Sequence, residues 1–66
     1  MRLVVNGEPQ RLDGAMTVAE LVVRLGRGPR GIAVAVNDEV VPRSTWAEHR
    51  LCEGDRVEVL NAAQGG

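Results

Sequence analysis

Thr17-Val18-Ala19-Glu20-Leu21-Val22-Val23-Arg24-Leu25-Gly26 carries the start and the stop of a helix within one short stretch. Thr17 and Glu20 stand at capping-box spacing: the hydroxyl accepts from the Glu20 N–H while the carboxylate reaches back to the Thr17 N–H. Val18, Leu21, Val22 and Leu25 recur at i, i+3, i+4 and i+7, which puts them on one face. Gly26 and Gly28 supply a C-terminal stop with Pro29 beyond. The stretch predicts a helix of about ten residues with a single apolar stripe, and such a stripe needs a surface to cover.

The flanking segments supply that surface. Upstream, Leu3-Val4-Val5 is a short β-rich run meeting Asn6-Gly7, the dipeptide favoured in two-residue type I′ hairpin turns. Glu8 to Asp13 reads as the returning strand, with Pro9 placing it at an edge where a missing N–H does no harm. Asp13-Gly14 is a second turn signal. Downstream, Ile32-Ala33-Val34-Ala35-Val36 alternates bulky and small residues, so the large side chains face the helix and the alanines line a shallower outer face. Asn37-Asp38 marks a turn, and Val40-Val41 is a short strand stopped by Pro42. Ser44 is placed to cap a single turn carrying Trp46. Glu53-Gly54-Asp55 is a further turn, and Arg56-Val57-Glu58-Val59-Leu60 is a last alternating strand. From Asn61 to Gly66 the periodicity is lost, as expected of a mobile tail.

Strand, strand, helix, strand, short strand, one-turn helix, strand and tail make an α+β domain with the helix on one sheet face. The arrangement that fits this order is the β-grasp, the ubiquitin-like fold, with a mixed sheet of four to five strands packed on one main helix. That fold, rather than any periodicity, places the first and last strands side by side and parallel at the centre. Residues 1–66 then form one domain, with 61–66 as its flexible C-terminal tail.

Composition narrows the function. Sixty-six residues support one small core and leave little room for an enclosed catalytic pocket. The net charge of -1 gives no basic footprint for nucleic acid and no polybasic membrane patch. All eight basic residues are arginine, so side-chain isopeptide chains between copies are excluded. A single cysteine allows no internal disulfide. The opening run is too short and too soon broken for a signal peptide, and no apolar run reaches membrane-spanning length. The expectation is a soluble cytoplasmic protein.

Gly65-Gly66 is the feature that points to chemistry. Two residues without side chains pass through a slot that rejects any Cβ and adopt backbone angles closed to others. A terminal carboxylate held out in this way is a handle that a partner can activate.

The chain resembles the ThiS family, bacterial sulfur carriers of thiamine (thiazole) biosynthesis. The resemblance runs through Asn6-Gly7, Thr17-Val18-Ala19-Glu20-Leu21, Ala35-Val36-Asn37, Val40-Val41-Pro42-Arg43, Trp46, Glu53-Gly54-Asp55 and Gly65-Gly66. Its most specific part is Val-Asn-x-x-Val-Val-Pro-Arg-x-x-Trp, residues 36 to 46. It implies that Gly66 is adenylated by a ThiF-like adenylyltransferase, which uses ATP and magnesium; the chain itself binds no cofactor. Sulfur from a persulfide protein then yields a Gly66 thiocarboxylate, and a ThiG-like thiazole synthase takes that sulfur into the thiazole ring. Gly65, Gln64 and Ala63 would thread into the partners' clefts behind Gly66. Gln64 departs from the small or aliphatic residue usual before the two glycines, which bears on how the tail seats in its partner. Two other functions share the Gly-Gly end: a sulfur carrier for molybdopterin synthesis and a ubiquitin-like modifier of lysines.

The remaining reactive residues read as structure. Cys52 is expected to be a buried small hydrophobe, His49 a surface residue, and Trp46 a lid on one end of the core. Ubiquitin-like carriers dock by an apolar sheet patch beside the tail, which makes Leu60, with Arg56 and Glu58, the candidate docking residues. No nucleophile, base and oxyanion set can be assembled, so the chain is expected to be a substrate of enzymes and not itself an enzyme.

Overall fold

A computed structural model describes residues 1–28 and 30–61. Strand β1, Arg2–Val5, turns through Asn6 and Gly7 into β2, Glu8–Arg11. Both turn residues have positive φ, 51° and 82°, as a type I′ turn requires. Val5 pairs with Glu8 and Val4 with Pro9, and β2 lies at the sheet edge, where the proline costs no ladder bond. The returning strand is shorter than Glu8 to Asp13. Leu12 still donates to the Met1 carbonyl at 2.8 Å, but the chain bends away at Asp13-Gly14.

Helix α1 spans Val18–Arg24, and both bonds of the Thr17–Glu20 capping box are present. The first two N–H groups of the helix, which it cannot satisfy internally, find carbonyls in a distant loop. Val18 donates to His49 at 2.9 Å and Ala19 to Trp46 at 3.1 Å. The helix has seven residues, fewer than the expected ten, because Thr17 and Leu25 serve as its caps; Gly26, at φ 75°, stops it where the sequence places the stop. Gly26 donates to Val23 and Arg27 to Val22, the paired bonds of a Schellman ending. Val18, Leu21 and Val22 are buried, while Leu25 is half-buried.

Strands β3, Ile32–Val36, and β4, Glu39–Val41, form a second two-residue hairpin through Asn37 and Asp38, at φ 51° and 73°. A 3-10 turn, Arg43–Thr45, follows Pro42. Ser44 does not cap it: no side chain caps this turn, and it is the Thr45 hydroxyl that donates to the Pro42 carbonyl, at 2.9 Å. The fixed φ of Pro42 already directs the chain into the turn, so a side-chain cap has little left to do.

Strand β5, Arg56–Asn61, completes a mixed sheet of order β2-β1-β5-β3-β4. It runs parallel to β1 and antiparallel to β3, which makes it the central strand. The architecture is the β-grasp. β5 extends one residue beyond Leu60, because Asn61 pairs with Ile32 across the sheet.

The core lies between α1 and the inner sheet face. Leu3, Val18, Leu21, Val34 and Val57 are its most enclosed side chains. Trp46 closes one end at 5% exposure, as expected, and Met16 and Leu51 pack with it. Sequence periodicity missed that last pair, since neither residue lies in a helix or strand. They meet because Leu51 donates to the Met16 carbonyl at 2.9 Å. Among the described residues no helix is long and apolar enough to cross a membrane.

Candidate functional site

Alternation along β5 decides what the sheet shows to its surroundings. Val57 and Val59 point into the core, so Arg56, Glu58 and Leu60 stand on the outer face. Leu60 is 57% exposed and sits directly across from Ala33, and Glu58 sits across from Ala35. Ala35 also pairs with Val40 on β4, which puts Val40 on the same face at 74% exposure. Residues paired across strands share a face, so a row of apolar side chains runs from Leu60 past the two alanines to Val40. On the other side of β5, Val4 lies between Pro9 and Arg56, so charged side chains of β5 separate it from that row.

The expected docking residues are therefore brought together on one face. Val40 was missed as a member of it. The signal was available, since Val40 and Val41 are neighbours in a short strand and only one of them can face the core. Arg56 is engaged at the rim of this surface: its Nη2 lies 3.0 Å from Asp38 Oδ2, with both side chains largely exposed. Such a pair adds little stability.

Both hairpin turns reach β5 through an asparagine side chain. Asn37 Oδ1 accepts from the Arg56 N–H at 3.0 Å, while its Nδ2 donates to Asp55 Oδ1. Asn6 Oδ1 accepts from the Val59 N–H at 2.8 Å, and its Nδ2 donates to the Val59 carbonyl at 3.2 Å. The sequence marks both asparagines as turn formers and as part of the family resemblance, but not as side-chain partners of β5. At the end of the strand, Arg27 Nη2 donates to Asn61 Oδ1.

Gly66, Gly65, Gln64 and Ala63 lie outside the described residues. Cys52 is not buried; it is exposed. It follows the buried Leu51, and its own N–H donates to Asp55 Oδ2 at 2.8 Å across the Glu53-Gly54 turn. His49 is half-buried and contributes its carbonyl, not its ring, to the start of the helix. Among the described residues, no polar or charged side chain is buried and no three of His, Cys, Asp and Glu gather as metal ligands would.

The family model described as the ThiS family matches residues 3–66. The chain belongs to the ThiS family. It is 32% identical over 66 residues to the sulfur carrier protein ThiS of Escherichia coli (strain K12), covering 100% of both chains. It is 39% identical over 66 residues to a thiazole synthase of Paramagnetospirillum magneticum, and there it spans 20% of the larger protein. Among solved structures, the crystal structure of the thiamine biosynthesis protein (ThiS) from Geobacter metallireducens superposes with a TM-score of 0.87 at 35% identity, covering 100% of both chains. The ThiS-family match extends through Gly65-Gly66, and the strand that precedes them in the chain, β5, carries the exposed Leu60 on its outer face.

Proposed function

We propose that this chain is a sulfur carrier whose Gly66, as the carboxyl end, is charged by one enzyme and discharged by another in forming a thiazole ring. The observation that carries this reading is that the ThiS-family match runs from residue 3 through Gly66. A carboxylate is a poor electrophile because its charge is shared by both oxygens. A ThiF-like adenylyltransferase, using ATP and magnesium, converts one oxygen into a leaving group as the acyl-adenylate and releases pyrophosphate. The persulfide sulfur of a donor protein attacks the carbonyl carbon and displaces AMP. A thiol then cleaves the resulting sulfur–sulfur bond, ending as the disulfide itself and leaving the Gly66 thiocarboxylate.

Gly65, Gln64 and Ala63 form the approach to that carbon, and Gly65 supplies clearance in a narrow cleft. Leu60, with Arg56 and Glu58, lies on the face that docks. A thiazole synthase is the acceptor. Support for this comes from the thiazole synthases of P. magneticum and Magnetococcus marinus, of which a segment equal to 20% of each length resembles this whole chain. Covalent joining in those proteins is what a docking pair looks like when it shares one polypeptide.

Intact-mass measurement after incubation with the adenylyltransferase, ATP, magnesium and the persulfide donor tests the reading. The expected product is heavier by one oxygen-to-sulfur exchange, and thiazole synthase returns it to the starting mass. A variant with one alanine added after Gly66 should not be charged. Covalent adducts on other proteins would instead identify a modifier, and discharge to a molybdopterin precursor but not to thiazole synthase would move the carrier to that pathway.

A further inference from the structure

β1 ends before β5 does. Its paired positions reach only Val5↔Val57, after which the chain turns away through Asn6-Gly7 toward the sheet edge. On that side, the Val59 N–H and carbonyl would have no strand to bond. The Asn6 carboxamide takes the missing place, accepting from Val59 N–H at 2.8 Å and donating to Val59 carbonyl at 3.2 Å. A side-chain amide has the same donor and acceptor as a peptide unit, so it adds one rung to the parallel ladder without adding a residue to β1. The Asn6 backbone N–H bonds Val57 at 2.8 Å, which anchors the clamp to the rung below. From the other direction, Arg27 holds the Asn61 side chain, and Arg27 is itself fixed by its Schellman bond to Val22.

We propose that Asn6 is a positioning residue for the carrier terminus, holding Val59 so that the end of β5 is a fixed base for presenting Gly66. This rests on the carrier reading above and deepens it: a fixed base lowers the ordering cost of delivering Gly66 into a partner's cleft. Turn formation alone does not ask for this side chain. Glycine at position 6 satisfies the positive φ equally well, but offers no carboxamide.

Asn6→Gly therefore separates the clamp from the turn, and Asn37→Gly is its control, removing the matching asparagine from the other hairpin, where the bonds go to the start of β5. Each full chain is compared with wild type for hydrogen exchange at the Val59 amide and for ATP–pyrophosphate exchange by the adenylyltransferase. With Asn6→Gly, Val59 exchange should rise on the order of fivefold to tenfold, the loss of one or two hydrogen bonds. KM for the carrier should rise roughly tenfold with kcat unchanged, because only the cost of presenting the terminus has changed. Asn37→Gly should leave KM at the wild-type value even where its stability falls as far. If Asn6→Gly does not fold, Asn6→Asp keeps the turn and sets a carboxylate oxygen against the Val59 carbonyl, and it should raise KM in the same way. Unchanged KM in the Asn6 variants, or an equal rise in Asn37→Gly, overturns the proposal. A wild-type chain that is never adenylated overturns the carrier reading instead; the clamp is then judged on Val59 exchange alone and fails if that rate is unchanged.

Discussion

The indole Nε1 of Trp46 donates to the Val41 carbonyl at 2.8 Å, closing the turn between β4 and the 3-10 turn from inside the core. This bond accounts for the spacing of Val-Val-Pro-Arg-x-x-Trp. Val41 ends its strand facing inward, Pro42 turns the chain, and one 3-10 turn brings the indole back over the carbonyl it must satisfy. The Trp46 carbonyl then accepts from Ala19, so the same residue also completes the start of α1. Arg43 lies over the ring, with its guanidinium carbon 6.0 Å from the centroid.

Trp46→Phe keeps much of the apolar volume but leaves the Val41 carbonyl without its partner. It should cost about 1–3 kcal/mol in urea unfolding followed by circular dichroism. Trp46→Ala adds a cavity and should cost about 3–5 kcal/mol, a large share of the stability of so small a domain.

Helix α1 should depend on its first residues more than its length implies. Thr17→Ala removes the acceptor for the Glu20 N–H, while the Val18 and Ala19 donors keep their carbonyl partners. The expected loss is about 1 kcal/mol, read as a lower urea midpoint with an unchanged slope.

Gly26 and Gly28 predict opposite outcomes from the same substitution. A Cβ at either position meets nothing within 4 Å, so sterics do not separate them. Only Gly26 has a positive φ. Gly26→Ala should destabilise by about 1–2 kcal/mol, the cost of a left-handed alanine. Gly28→Ala should be neutral or slightly stabilising, since it restricts the unfolded chain. Thermal melts of the two variants check both signs.

The outer face should separate stability from partner recognition. Leu60→Asp and Val40→Asp alter exposed side chains and should shift stability by less than about 0.5 kcal/mol. If this face docks, the affinity for the adenylyltransferase or the thiazole synthase should fall about tenfold or more, measured by calorimetry. Arg56→Ala, which loses only an exposed ion pair, should likewise leave stability within about 0.5 kcal/mol.

Cys52 should alkylate in the native state, because its side chain is exposed. Iodoacetamide labelling should be as fast without denaturant as with it, to within about tenfold, and the labelled protein should still accept sulfur at Gly66. Loss of charging on labelling would place Cys52 on the sulfur route.

The amino-acid sequence by itself determined the local pieces: the Thr17–Glu20 cap, the Asn6-Gly7 and Asn37-Asp38 turns, the apolar stripe of α1 and the alternation of β3 and β5. Caps, turns and periodicity act between residues a few positions apart, so they are written where they operate. It also carried the family resemblance from which the proposed role of Gly66 follows. Only the tertiary structure decided what depends on distant partners. Met16 and Leu51 enter the core through a bond between two loops, Val40 joins Leu60 through the β3 register, and Asn6 grips Val59 from 53 positions away in the chain. Cys52 stands exposed in a loop whose backbone Asp55 holds, a placement no composition or hydropathy records. Such pairings are selected by the closing of the whole sheet on its helix, and a one-dimensional pattern has no coordinate in which to express them.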